Sequence, residues 1–208
     1  MTTTDALFCS LTPLRLAELV RSARHAVCYA GPGLQLDLAQ AMVEVAGRVG
    51  KEMLTVSLDF DDRVMRMGYG NVDAVQLLLD AGIAVQSSPG LRTALVVVDN
   101  KGYIFTPTAL YLEAEPSDGA ASNAVRMSGE QVSQALARLS PAAKTIAIAQ
   151  AKAPEAKQHI EALTVDVVSA PITPEKLAEV TASLETAPPV RFDLARQVRV
   201  FEPYLQYV

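Results

Sequence analysis

Residues 59–71 read Asp-Phe-Asp-Asp-Arg-Val-Met-Arg-Met-Gly-Tyr-Gly-Asn and crowd many reactive side chains into one connection. Arg63 and Arg66 offer planar forks of donors suited to phosphate. Tyr69 offers a ring on which a base can stack, and Asn71 both a donor and an acceptor. Arg92, at the head of the apolar run Leu91 to Val98, is a further fork. Arg63, Arg66, Tyr69, Asn71 and Arg92 are therefore the candidate ligand-binding set, and a phosphate-bearing ligand or a nucleic acid is what they fit. A competing reading pairs these arginines with Asp59, Asp61 and Asp62. Three acids at a strand end could also take a divalent cation, but no His or Cys joins them. No metal and no cofactor is expected.

The other reactive residues point less far. His25 opens an apolar run and reads as structural, while His159 sits in a polar stretch and reads as exposed. Cys9 and Cys28 have no His partner that would suggest a thiol nucleophile. Gly31-Pro32-Gly33 precedes a helix and could aim backbone N–H groups at an anion, but it lacks any Lys or Ser/Thr signature and a tight turn is the favoured reading. Gly68-Tyr69-Gly70 lacks the third glycine of a dinucleotide fingerprint. No residue is assigned as catalytic.

The elements that must position these residues follow from periodicity. Thr12-Pro13 is a cap followed by a first helical turn, and Leu14, Leu16, Leu19 and Val20 continue a helix over 13–23. Residues 25–30 are a buried-strand run ended by Gly31-Pro32-Gly33. Leu36 to Val45 suits a second helix closing near Gly47. Residues 52–60 are a strand, 72–80 a third helix stopped by Ala81-Gly82, and 83–86 a brief strand. Leu91 to Val98 is a strong β run, with Leu95 to Val98 expected to be central and buried on both faces. Asp99-Asn100-Lys101-Gly102 is a hairpin turn with Gly102 at the position that tolerates positive φ, and 103–106 return. Residues 110–113 suit a further strand and 115–122 a flexible loop. Ser128 and Gln131 form a capping box for a helix over Val132, Leu136 and Leu139. Residues 141–163 read as helical with a break at Pro154, 164–169 as a short strand, and Thr173-Pro174-Glu175 as the start of a helix to about Leu184. Residues 196–208 alternate like a half-buried strand. Such an ending suits either a fragment of a longer protein or a true edge strand.

Composition narrows the class. Half of the 208 residues are hydrophobic and 20% are charged, a globular balance. The net charge of −5 argues against a general nucleic-acid binder but leaves room for a local basic site. No apolar run reaches membrane-span length, residues 1–5 lack the features of a secretory signal, and two cysteines make no disulfide framework. A cytoplasmic location and no membrane partner are the expectations.

The order helix, strand, helix, strand, helix, Ala81-Gly82-Ile83, short strand and hairpin resembles one half of the phospholipase D superfamily. In that family the hairpin strand carries His-x-Lys, four residues, then Asp, and a Gly-Ser pair about seven residues on. Here the strand reads Leu91-Arg92-Thr93-Ala94-Leu95-Val96-Val97-Val98-Asp99. Asp99 is in register, Arg92 stands at the His position, Ala94 at the Lys position, and Thr106-Pro107 at the Gly-Ser position. The resemblance spans residues 14–112. It implies a degenerate site, since the family's His takes up the phosphoryl group and its Lys stabilises phosphate charge.

The fold expected is α/β: a mixed, mostly parallel sheet flanked by helices, phospholipase D-like, with a helical C-terminal region ending in a strand. The division is 1–122 for the phospholipase D-like domain and 123–208 for a mainly helical extension. The function expected is a non-catalytic binding or assembly module. The alternatives are a phosphodiesterase or nuclease-type enzyme with a rebuilt site and a purely structural interaction domain. Because the family's fold is built from two facing halves and one is present here, a homodimer is expected.

Overall fold

A computed structural model describes residues 6–108 and 122–189. The elements are β1 (Phe8–Cys9), α1 (Pro13–Arg21), β2 (Val27–Gly31), α2 (Leu36–Val49), β3 (Leu54–Leu58), α3 (Asp62–Arg66), α4 (Val72–Asp80) and β4 (Val85–Ser87). They continue with β5 (Ala94–Val98), β6 (Lys101–Phe105), β7 (Ala124–Arg126), α5 (Gly129–Leu139), α6 (Pro141–Gln150), α7 (Pro154–Ala162), β8 (Ala170–Pro171) and α8 (Pro174–Thr186).

All eight strands join one sheet in the order β1-β7-β6-β5-β2-β3-β4-β8. Only β2–β3 and β3–β4 pair in parallel. The other five pairings are antiparallel, so the sheet is mixed but not mostly parallel. One of the five is β8 against β4 at one edge, and the other four follow from the β5–β6 hairpin. It inserts beside β2 and reverses direction there, and every strand added beyond it continues the antiparallel run.

β2, β3 and β5 are buried along their whole length. Side-chain alternation splits β5 between two cores. Val96 and Val98 face α1, α2, α4 and α8, while Leu95 and Val97 face the layer of α5, α6 and α7. The central position expected for Leu95 to Val98 is met, with none of the four more than 8% exposed. Residues 124–189 thus supply two strands to the sheet, the helices α5, α6 and α7 to one face and α8 to the other. No helix among the described residues is long and apolar enough to cross a membrane.

Local sequence explains most boundaries. Thr12, Ser140 and Thr173 each accept an N–H from the first turn of the helix they precede, and Pro follows each. The capping box is complete: Ser128 Oγ accepts from Gln131 N at 3.2 Å and Gln131 Oε1 from Ser128 N at 2.8 Å. Helix α2 runs past Gly47, whose position has open space, and stops at Gly50, where φ is 94°. In the hairpin the positive φ falls on Asp99, at 56°, and not on Gly102. Gly102 is required by packing instead, because a Cβ there would collide with Val132 and crowd Met127. Residues 164–169 form no strand. The backbone there is tied down by Asp166, whose N–H donates to Arg138 O at 2.8 Å and whose carboxylate pairs with the Arg138 guanidinium. The strands expected at 110–113 and 196–208, and most of the loop at 115–122, lie outside the described residues.

A polar clamp fastens α8 to the body. Arg66 donates to Asp62 Oδ2 at 2.6 Å, to Ser183 O and Oγ at 2.9 Å, and to Ala187 O at 2.8 Å. The Ser183 hydroxyl also donates to Asp62. The Ser183 hydrogen bond, then Arg66, hold the Asp62 carboxyl down at about 2. A lowered folded-state value stabilises the fold above the unfolded value, and that share is lost as pH falls toward 2. Asp62→Asn is expected to flatten the decline in melting temperature between pH 5 and pH 2 while lowering the melting temperature at pH 7. An unchanged acid limb would remove the clamp from the acid response.

Candidate functional site

The carboxyl ends of β2, β3 and β4 lie where an open α/β sheet presents ligand-binding loops. Here β2 has parallel β3 on one side and antiparallel β5 on the other, so the strand direction changes at this point. Asp59 follows β3 and its N–H donates to Gly31 O at 3.1 Å. Ser88 follows β4 and its N–H donates to Leu58 O at 2.6 Å.

Arg92 and Thr93 precede β5 and are exposed; neither belongs to the strand. Arg92 Nη1 lies 2.9 Å from Asp59 Oδ2, with the Arg92 side chain 58% exposed and that of Asp59 6%. The angles fall outside hydrogen-bonding geometry, and Oδ2 is buried with no hydrogen-bond partner. The contact is a charge pair: the buried carboxylate fixes one end of the fork and leaves the rest facing solvent. Ser88, wholly buried, likewise has a hydroxyl with no partner. Sequence reasoning did not single out Ser88, and nothing in Ser87-Ser88-Pro89-Gly90 distinguishes it from an ordinary loop serine.

The five predicted ligand residues are not brought into one pocket. Tyr69, Asn71 and Arg92 line three separate clefts. Arg66 is committed to the α8 clamp. Arg63 is exposed, and its guanidinium has no partner among the described residues. Asn71 precedes α4 without capping it through its side chain, and its N–H donates to Leu34 O at 3.1 Å.

The two glycine motifs explain each other. A Cβ on Gly33 would come within 2.7 Å of Tyr69 C and 2.8 Å of Tyr69 O, and a Cβ on Gly70 within 2.7 Å of Leu34 O. Gln35 Nε2 donates to Gly68 O at 2.9 Å, and the Tyr29 hydroxyl donates to Gly33 O at 2.7 Å. The loop after β2 and the loop after α3 are therefore seated backbone on backbone. They form a joint and not a phosphate cradle.

The three acids have separate employments: Asp59 on Arg92, Asp61 capping α3 through Arg63 N at 2.8 Å, and Asp62 in the clamp. Among the described residues no group of three acids, His or Cys could hold a metal ion. Burial pushes the Cys28 thiol up to about 11, so it is no thiolate nucleophile at neutral pH. His159 is exposed as expected, and His25 is exposed as well, since β2 begins two residues later.

No protein-family model and no curated protein matches the chain. Among solved structures, the chain is similar to Nuc from Salmonella typhimurium, a phospholipase D family member. The identity is 19% and the TM-score 0.41, over 54% of this chain and 72% of that one.

Proposed function

We propose that this chain is a phospholipase D-like module that grips a phosphate-bearing ligand, nucleic acid included, without hydrolysing it. The observation that carries the reading is Arg92. It stands at the motif's His position, beyond the carboxyl ends of β2 and β3, with most of its fork exposed and one buried carboxylate holding it in place. A guanidinium stays protonated and cannot take up a phosphoryl group. Ala94, at the Lys position, is wholly buried and offers no charge. What is left is recognition: a planar donor fork for a phosphate edge. Asp59 offsets part of the attraction, so the grip is modest and weakens with salt.

The test uses bis-nitrophenyl phosphate and a short 5′-phosphorylated single-stranded oligonucleotide at low salt. No turnover is expected. Arg92→Ala should weaken oligonucleotide binding by about tenfold, the worth of one charge-assisted contact. Turnover that Arg92→Ala abolishes, or binding that the substitution leaves unchanged, would sink the reading.

A second reading, assembly as a homodimer, is favoured by a separate observation. Phe8, Val125 and Ile104 are cross-strand neighbours on β1, β7 and β6 and are 62%, 37% and 44% exposed. With Arg92 and Thr93 they line a cleft of about 360 Å³. An apolar row of this kind suits an isologous contact with charge on its rim. Sedimentation at micromolar concentration should give a dimer that Phe8→Glu converts to monomer. A monomeric parent protein would refute this reading and leave the first untouched.

A further inference from the structure

Helices α4 and α8 flank an open groove of about 530 Å³ that takes no part in the Arg92 site. Leu79 and Leu177 line it, and the small residues Ala178, Thr181 and Ala182 on α8 leave room for another backbone to approach. Toward Pro189 it runs on into a second hollow of about 250 Å³ that shares Thr181 and Glu185 with the first. Val72 and Leu184 extend the apolar lining there.

Among the described residues the charge on this groove has one sign: Asp73, Asp80 and Glu185 are the charged lining residues, and no described Lys or Arg lines either hollow. None of the three forms an ion pair among the described residues; Asp80 accepts only from Gln76 Nε2, at 2.6 Å. Of the cations nearby, Arg66 is spent in the clamp on α8 and Lys176 on Glu179, while the Lys51 ammonium lies beside Gly82, two residues beyond Asp80. An apolar floor with acidic rims calls for aliphatic stems that end in cationic donors, which is the chemistry of Lys and Arg side chains.

We propose that the α4–α8 groove docks a Lys- or Arg-bearing amphipathic helix of a partner protein. Its apolar residues would rest on Leu79, Leu177 and Ala178, and its cations would meet Asp73, Asp80 and Glu185. This is the helix-in-groove mode of recognition, with the acidic rim excluding acidic helices.

The test uses the full chain and two labelled 18-residue helical peptides with the same Leu spacing, one with Lys and one with Glu on the polar face. Fluorescence anisotropy should show the Lys peptide binding and the Glu peptide not. Asp80→Lys with Glu185→Lys should weaken the Lys peptide by about tenfold, since two attractions become repulsions. Glu155→Lys with Glu161→Lys on α7 makes the same change in net charge away from the groove, and binding should stay within about twofold. Ala178→Phe, which fills the floor at an exposed position without altering charge, should also weaken binding. Equal losses in the two charge-reversed pairs, or no loss with Ala178→Phe, would overturn the proposal. Residues 190–208 carry Arg191, Arg196 and Arg199. A tighter Lys-peptide complex when these three become Glu would make the chain's own arginines the occupant and overturn the partner assignment.

Discussion

Gly70→Ala is expected to lower stability by about 3 kcal/mol, the upper end of what added bulk costs in a packed interior. In a chain of this size that is a fall in melting temperature of roughly 6–12 °C. The added methyl would meet the Leu34 backbone, its oxygen at 2.7 Å, and backbone cannot turn aside as a side chain can. Gly33→Ala should cost a similar amount by pressing on Tyr69 C at 2.7 Å from the other side of the joint. The double variant should cost less than the sum of the singles, because once the loops part the second methyl finds space. Gly47→Ala is the control. Its site lies within α2 with nothing within 4 Å, so a gain of up to about 1 kcal/mol is expected from helix propensity. Thermal melts of the parent and the four variants decide it. A melting temperature for Gly70→Ala within a degree of the parent would mean that the two loops are not seated as described.

This joint also marks where sequence reading stops. Gly31-Pro32-Gly33 and Gly68-Tyr69-Gly70 each look like a turn, and each is one. That they require glycine because they face each other follows from a contact across more than thirty residues, which no local pattern carries. Arg66 is a similar case. Its pairing with Asp62 is legible at i, i+4 spacing, but its bonds to Ser183 and Ala187 come from a helix more than a hundred residues away. By contrast, α4, the capping box of α5 and the burial of Leu95 to Val98 were plain. Each is fixed by an uninterrupted run or by a cap within four residues. The sheet was read as mostly parallel because β-α-β order was weighed over the hairpin, although one antiparallel hairpin is enough to reverse every strand beyond it. At the candidate site, Arg92 was found by register and Asp59 by its place at a strand end. Their pairing was legible only as an alternative, since acids and arginines in one loop can pair in several ways. The groove on α4 and α8 gave no signal, because its acids belong to helices distant in sequence.

Asp99→Ala is expected to cost about 2–3 kcal/mol, the worth of charge-assisted hydrogen bonds lost at a partly buried position. The Asp99 carboxylate accepts the N–H groups of Arg24, His25 and Ala26, with Oδ1 at 2.8 Å from His25 N and 3.1 Å from Ala26 N. Its own N–H donates to Ala26 O at 2.9 Å. One side chain thus ties the end of β5 to the segment leading into β2, and those two strands lie side by side at the centre of the sheet. Asp99 also sits at a φ of 56°, in the left-handed region where short polar side chains are tolerated and Ala is not favoured. Asp99→Asn, which keeps an acceptor oxygen and tolerance of that φ, should lose about half as much as Ala. Asp99→Gly should recover about 1 kcal/mol of the Ala loss through backbone freedom alone. The residue that keeps register with the resembled motif therefore has a mechanical task. It lies seven positions along near-extended chain from Arg92, roughly 20 Å, so it does not touch a phosphate held there. Oligonucleotide binding by Asp99→Asn should match the parent at temperatures well below its melting point, while the melting temperature falls. The reverse result, binding lost with the melting temperature unchanged, would place Asp99 in the ligand site and detach it from the frame.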